Sequence, residues 1–146
     1  MDPVIVEPSC EMEASLNAFL DDRIYEFNIR ATGFKDGRPF AAAVKDEFGN
    51  IVAGISGHTW GSCCQIVYLW VHESQRRQGR GSSLLRLAEE EAIRRGCVQA
   101  LLLTHSFQAP EFYERSGYVC VATIENYPLG HAQHAYVKQF GGKGGA

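Results

Sequence analysis

The sequence predicts an α/β protein built on one mixed β-sheet. A segment at 64–72, rich in β-branched and aromatic residues, precedes a helical segment at 81–96 and an apolar run at 98–104. Strand, helix and strand in this order form a βαβ unit, in which the two strands are parallel and the crossover is right-handed. Segments 39–45 and 51–56 flank a turn at 46–50 that contains Gly and Asn, which favours an antiparallel hairpin. A mixed sheet accommodates both kinds of pair.

The helix at 81–96 is predicted from its period. One face carries Leu84, Leu85, Leu87, Ala88 and Ala92, and the opposite face carries Arg86, Glu89, Glu90 and Arg94. Glu90 with Arg94 and Glu91 with Arg95 are pairs four residues apart in the favourable orientation, and Gly96 is placed to end the helix.

Weaker patterns complete the predicted elements. A short strand at 4–6 precedes a helix that begins at Ser9 or Cys10, and a second helical piece at about 24–29 ends near Gly33. A short helix at 109–116 and strands at 118–124 and 135–140 follow the βαβ unit. We expect one domain over residues 1–140 and a disordered glycine-rich tail at 141–146.

Composition restricts the functional classes. The 146 residues, 45% of them hydrophobic, suit one compact domain, and no apolar run approaches the roughly 18 residues of a membrane span. The amino terminus does not resemble a signal peptide, so we expect a cytoplasmic protein without a membrane partner. A net charge of −3 argues against nucleic acid as a partner. The five cysteines lack zinc spacing, so we expect no metal site and read them as buried thiols.

The loop before the central helix predicts an anion site. Residues 76–81 read Arg-Arg-Gln-Gly-Arg-Gly, followed by Ser82. At the first turn of a helix, backbone N–H groups lack partners and the helix dipole is positive, while glycines let the main chain approach a phosphate closely.

Two familiar phosphate loops do not fit these residues. A P-loop needs Gly-Lys-Ser/Thr, but Ser82 follows Gly81 directly. A dinucleotide fingerprint needs a third glycine where Leu84 stands. From the loop alone, a tight strand-to-helix turn with solvated arginines stays open as an alternative.

Taken with its neighbours, the loop resembles the pyrophosphate motif Gln/Arg-x-x-Gly-x-Gly/Ala of the GCN5-related N-acetyltransferase family. Residues 69–73, Leu-Trp-Val-His-Glu, resemble that family's bulged fourth strand, and residues 107–118 resemble its late helix with a Phe-Tyr pair. The resemblance covers about residues 4–140. One departure is Arg77, where many relatives have glycine, so the loop is expected to differ in shape there.

The resemblance implies a sheet of about six to seven strands with flanking helices and a splayed parallel pair, near Leu69 and Leu102. It implies acetyl-CoA as the acetyl donor and direct attack of a neutral amine on the thioester, with a fourth-strand N–H steadying the oxyanion. Tyr113 is the predicted catalytic acid on the departing thiolate. The residues expected to bind the cofactor are Leu69, Trp70, Val71, Arg76, Arg77, Gln78, Gly79, Arg80, Gly81, Ser82 and Ala109.

The acceptor side is less determined. The general base is not evident, and Glu26, His58 and Tyr68 are weak candidates. Residues 125–131, Glu-Asn-Tyr-Pro-Leu-Gly-His, resemble a segment found in part of the family, on the loop between the last two strands. The expected acceptor is a small-molecule amine. A protein lysine or amino terminus stays open as the acceptor. A non-catalytic module that binds coenzyme A or RNA stays open as the function, and a homodimer stays open as the oligomeric state.

Overall fold

The computed structural model describes residues 14–141. The predicted strand at 4–6 and the tail beyond Gly141 lie outside the described residues. The helices are α1 (Ala14–Thr32), α2 (Arg80–Arg94) and α3 (Pro110–Arg115), and a single 3₁₀ turn covers Glu73–Gln75. The strands are β1 (Arg38–Lys45), β2 (Ile51–Trp60), β3 (Cys63–Val71), β4 (Gln99–His105), β5 (Val119–Glu125) and β6 (Ala132–Gln139).

The first helix lies in a compact unit that ends at Lys35, and all six strands belong to the second unit, from Asp36. α1 is one continuous helix, so the prediction of two separate helical pieces was wrong. The charged residues between the two apolar clusters tolerate a helix and do not interrupt it. Gly33 ends α1 as predicted, with φ of 80° and its N–H donating to the Ile29 carbonyl.

The strands form one mixed sheet in the order β1-β2-β3-β4-β6-β5, which confirms the predicted fold class. The hairpin between β1 and β2 is closed by Asp46, whose Oδ1 accepts from the N–H groups of Phe48 and Asn50 at 2.9 Å. β2 is longer than predicted, because Gly57 does not end it: a Cβ there would collide with the carbonyl oxygen of Gln65 on β3, so glycine permits the close approach.

A bulge and a divergence shape the middle of the sheet. Ser56 on β2 lies opposite Tyr68, but the next residue, Gly57, lies opposite Ile66, which leaves Val67 as the extra residue of a β-bulge on β3. The parallel pairing of β3 with β4 ends at Gln65 and Leu101. Beyond that pair, β3 continues beside β2, and β4 continues beside β6. The predicted splayed parallel pair is therefore present.

The core lies between the sheet and one face of α2. Leu84, Leu85, Ala88 and Ala92 are buried on that face, as the period predicted, whereas Leu87 is half exposed. Arg95 joins the C-terminal end of α2 to the β1–β2 hairpin through hydrogen bonds. It donates to Glu91 Oε2, Thr59 Oγ1 and the carbonyl oxygens of Arg38 and Pro39. Glu91 also pairs with Arg94 at 2.7 Å, a pair that the sequence assigned to Glu90.

Glu89 is not on the solvated face of α2, where the sequence placed it. Its side chain is 14% exposed and accepts from the Tyr118 hydroxyl at 2.8 Å and the Lys138 ammonium at 3.0 Å. A carboxylate this enclosed needs such partners, because burying an unpaired charge is costly. Glu89 thus joins α2 to the C-terminal part of the sheet.

Two other predictions concern burial. Cys64 and Cys97 are buried thiols as expected, but Cys63 is only half-buried and Cys120, on the edge strand β5, is exposed. Cys10 lies outside the described residues. Burial raises the pKa of Cys64 to about 12, which keeps it a thiol at neutral pH. Within residues 14–141, no helix is both long enough and apolar enough to cross a membrane.

Candidate active site

Five consecutive backbone N–H groups lie free at the start of α2. Gly79 precedes the helix in the left-handed conformation, with φ of 76°, and Ser83 is the first residue whose N–H donates to a carbonyl of the helix start, that of Gly79. No acceptor within residues 14–141 receives the N–H groups of Gln78–Ser82. Together with the positive end of the helix dipole, these donors favour an anion at this place.

Arg77 supplies the backbone angle that glycine would otherwise supply. Its φ is 64°, in the left-handed region that side chains other than glycine rarely adopt. The angle that glycine would permit is therefore kept, with arginine in the strained position, and the expected difference in loop shape stays a prediction. The strain costs roughly 1–2 kcal/mol.

The three loop arginines have no carboxylate partner within residues 14–141. Arg76 Nε donates to the Val71 carbonyl at 3.1 Å, and Arg80 Nε donates to Gln75 Oε1 at 3.4 Å. The Arg77 side chain makes no hydrogen bond to this part of the chain. No carboxylate of the described residues pairs with these positive charges, so they are available to a polyanionic ligand.

The two loop glycines differ in their surroundings. A Cβ at Gly79 would meet nothing within 4 Å, so that residue faces open space at the helix start. A Cβ at Gly81 would lie 3.4 Å from the ring of Phe112 and 3.8 Å from Val71. Gly81 thus lies next to α3 and β3, where an added methyl group would make ordinary van der Waals contacts, a neighbourhood that the sequence did not indicate.

Past the bulge, one edge of β3 faces the gap between β3 and β4. His72 N–H donates to the Val52 carbonyl on β2 at 2.8 Å. Because successive residues of a strand point their backbone groups to alternate sides, those of Trp70 also face β2, and those of Leu69 and Val71 face the gap. No strand pairs with this edge beyond Gln65 within residues 14–141.

Trp70 is therefore placed differently from its two neighbours. Its backbone belongs to the β2–β3 ladder, and its indole is 48% exposed, with its ring edge-on to His72 at 5.8 Å. Leu69 and Val71, by contrast, pack their side chains against the core while their backbone groups line the gap.

Tyr113 lies in an aromatic cluster within the core that the sheet and α2 enclose. Its ring contacts those of Phe112, Tyr118 and Tyr136 at centroid distances of 5.1, 5.9 and 6.4 Å. The Tyr118 hydroxyl donates to Glu89 and the Tyr136 hydroxyl to Glu114, both at 2.8 Å. No group within residues 14–141 hydrogen-bonds the Tyr113 hydroxyl, which makes it the uncommitted donor of the three tyrosines.

Burial raises the pKa of Tyr113, so its phenol stays protonated well above neutral pH. The ring is held by α3, which begins after Ala109. The Ala109 carbonyl accepts the Tyr113 N–H at 3.4 Å, and the half-buried Ala109 packs against the core.

The three candidates for a general base are all exposed. Glu26 is paired with Arg23 at 2.6 Å on α1. His58 on β2 and Tyr68 on β3 are both exposed. Residues 125–131 form the turn between β5 and β6, as predicted, and contact His105 at the end of β4. Sequence reasoning missed His105, although its place as the last residue of a strand at the loop end of a parallel pair was a usable signal.

Comparisons with known proteins agree with this geometry. The sequence profile of the Acetyltransferase (GNAT) family matches residues 7–118. A blasticidin-S acetyltransferase of Streptomyces morookaense is 36% identical over 115 residues, which cover 76% of this chain and 85% of that protein.

Two solved structures are similar along nearly the whole chain. An acetyltransferase from Bacillus cereus has a TM-score of 0.77 and 32% identity, covering 92% of this chain and 98% of the other. An acetyltransferase from Agrobacterium tumefaciens has a TM-score of 0.83 and 27% identity, covering 96% and 100%. The chain therefore belongs to the GNAT family of acetyltransferases.

Proposed function

We propose that this acetyltransferase moves the acetyl group of acetyl-CoA directly to the amine of a small molecule. The observation that carries the proposal is a two-part set of backbone groups without a backbone partner in the described chain: those of Leu69 and Val71 on the unpaired edge of β3, and the N–H groups of Gln78–Ser82. An extended amide-bearing chain that ends in a pyrophosphate fits both parts of this set.

The residues present fit acetyl-CoA. The N–H groups of Gln78–Ser82 and the uncompensated arginines would hold the pyrophosphate, and Gly79 leaves open space beside them. Leu69 and Val71 would pair with the pantetheine amides as an added strand would. The Val71 carbonyl accepts from Arg76 Nε and has a second lone pair, so Arg76 and a pantetheine amide can share it.

Two groups are assigned to the transfer itself. The Leu69 N–H faces the gap and would steady the oxyanion that develops on the acetyl oxygen. The Tyr113 hydroxyl, without a partner in the described chain and kept protonated by burial, would donate to the departing thiolate. Acetyl-CoA supplies the activated acyl group as a thioester.

The relative from Streptomyces supports a small-molecule acceptor, because it is a blasticidin-S acetyltransferase and is 36% identical across most of both chains. A protein lysine or amino terminus is the alternative class. In the first class the amine belongs to a compact molecule, and in the second it belongs to a peptide.

An amine panel tests the proposal. Release of the coenzyme A thiol would be followed with blasticidin S, polyamines, aminoglycosides and lysine peptides, with enzyme lacking acceptor as the blank. We expect turnover with a small amine at least tenfold above the best peptide. Turnover with lysine peptides alone would favour the alternative, and release without any acetylated product would mean hydrolysis.

A further inference from the structure

His105 is held against the turn that joins β5 to β6. Its Nδ1 lies 2.9 Å from the carbonyl oxygen of Tyr127. Its ring stacks on Phe107 at a centroid distance of 5.3 Å and an interplanar angle of 10°, and the ring of Tyr127 meets it edge-on at 5.0 Å. Phe107 in turn contacts His131 at 5.1 Å. We call His105, Phe107, Tyr127 and His131 the ring cluster.

The contact with Tyr127 fixes the tautomer of His105. A carbonyl oxygen only accepts hydrogen bonds, so Nδ1 has to carry the proton. The neutral imidazole then has its lone pair on Nε2. No group within residues 14–141 hydrogen-bonds that nitrogen, which leaves a basic atom available to a ligand.

The strand register places His105 across the gap from Leu69. The last parallel pair joins Gln65 to Leu101. Because Val67 is the extra residue of the bulge, Leu69 lies about three strand steps beyond that pair on β3, and His105 lies four steps beyond it on β4. At about 3.3 Å per residue, these steps place them about 10 Å and about 13 Å past the point where the strands separate. His105 therefore lies within about one residue of the level of the N–H assigned to the oxyanion.

His105 and Tyr113 lie on opposite faces of the sheet. Thr104 is buried on the face that packs against α2, so the next residue, His105, points to the other face. Tyr113 belongs to the core cluster on the α2 face. In the tetrahedral adduct the amine and the departing thiolate are separate substituents of the acetyl carbon, so the base and the acid can act on them from different faces.

We propose that His105 Nε2 is the general base that removes a proton from the acceptor's ammonium. The proposal rests on the proposed amine transfer. His105 takes one proton, the neutral nitrogen forms the C–N bond, and the C–S bond breaks with its electron pair on sulfur. Tyr113 protonates that sulfur and is reprotonated by the second proton of the attacking nitrogen. His105 then releases its proton to water.

The turn at residues 125–131 acquires a role in this scheme, because it supplies the Tyr127 carbonyl that orients His105. Its shape is fixed by backbone bonds: Asn126 N–H donates to the His131 carbonyl at 2.7 Å, and His131 N–H donates to the Pro128 carbonyl at 2.8 Å. Within residues 14–141, the titratable side chains in ring contact with His105 or with Phe107 are the Tyr127 phenol and the His131 imidazole.

The test compares His105→Asn and His105→Ala with the wild type, using acetyl-CoA and either blasticidin S or spermidine, whichever the wild type acetylates faster. Asparagine can still donate to the Tyr127 carbonyl but has no base. We expect His105→Asn to lower kcat/KM by about 100-fold or more while acetyl-CoA raises its Tm as in the wild type. Added imidazole should restore His105→Ala at least tenfold.

Phe107→Leu is the matched control, since it disturbs the ring cluster and keeps the base. Imidazole should not rescue it, and equal rescue would overturn the proposal. So would a loss at His58→Asn that imidazole restores, or His105→Asn activity within threefold of the wild type. If the wild type acetylates no amine, the proposed function fails instead, so the two failures are distinguishable.

Discussion

Replacing Arg77 separates the backbone role of this position from its charge. Its φ of 64° costs an arginine roughly 1–2 kcal/mol, which glycine does not incur. Glycine adds about 0.5–1 kcal/mol of unfolded-state entropy relative to alanine. Arg77→Gly should therefore raise the free energy of unfolding by about 0.5–1 kcal/mol, or Tm by about 1–3 °C for a chain of this size.

Arg77→Ala is the partner variant, because it removes the same guanidinium and keeps the strained angle. Calorimetry on the ligand-free proteins should give a higher Tm for Arg77→Gly than for Arg77→Ala. Titration should show a similar weakening of acetyl-CoA in both, about fivefold for the loss of one exposed phosphate contact of about 1 kcal/mol. Equal Tm values would refute the assignment of strain, since relief of repulsion among the loop arginines is common to both variants.

Three further predictions concern single side chains. Tyr113→Phe should lower kcat at least tenfold with little change in the acetyl-CoA dissociation constant, and an acetyl donor with a more acidic leaving thiol should restore the activity of this variant. If the variant keeps the wild-type rate while chemistry limits that rate, Tyr113 is a packing residue. Gly79→Val should abolish acetyl-CoA binding in titration, whereas Gly81→Ala should retain it, because the added methyl group would lie 3.4 Å from the Phe112 ring, which can shift. Binding that is kept in Gly79→Val and lost in Gly81→Ala would contradict this. Glu89→Ala should lower the urea midpoint by an amount equivalent to about 2–4 kcal/mol, because it strands the Lys138 ammonium; a loss under 1 kcal/mol would show that water replaces the carboxylate.

The predictions from sequence succeeded where local pattern decides the structure. The period of α2 predicted its buried leucines and alanines, and the order of strand, helix and strand predicted the parallel pair. The glycines and arginines of the loop predicted an anion site from helix-end physics; the fold places free N–H groups there, and the bound anion stays a prediction.

The sequence could not reveal what depends on contacts between distant segments. Glu89 looked like a solvated helix residue because its partners, Tyr118 and Lys138, lie on later elements. The contact of Gly81 with Phe112 could not be predicted, because Phe112 belongs to α3. For His105 the sequence offered only its position at the end of a strand, since its orientation comes from a carbonyl 22 residues away.

Residue-resolved amide hydrogen exchange tests the central claim most directly, because the free N–H groups are the feature on which the cofactor site rests. In the ligand-free protein, the amides of Gln78–Ser82 and of Leu69 and Val71 should exchange fast, and that of Trp70, paired to β2, should exchange slowly. Saturating acetyl-CoA should protect the first set and leave Trp70 as it was. Protection confined to other parts of the sheet, or none at the start of α2 while acetyl-CoA binds, would contradict the account.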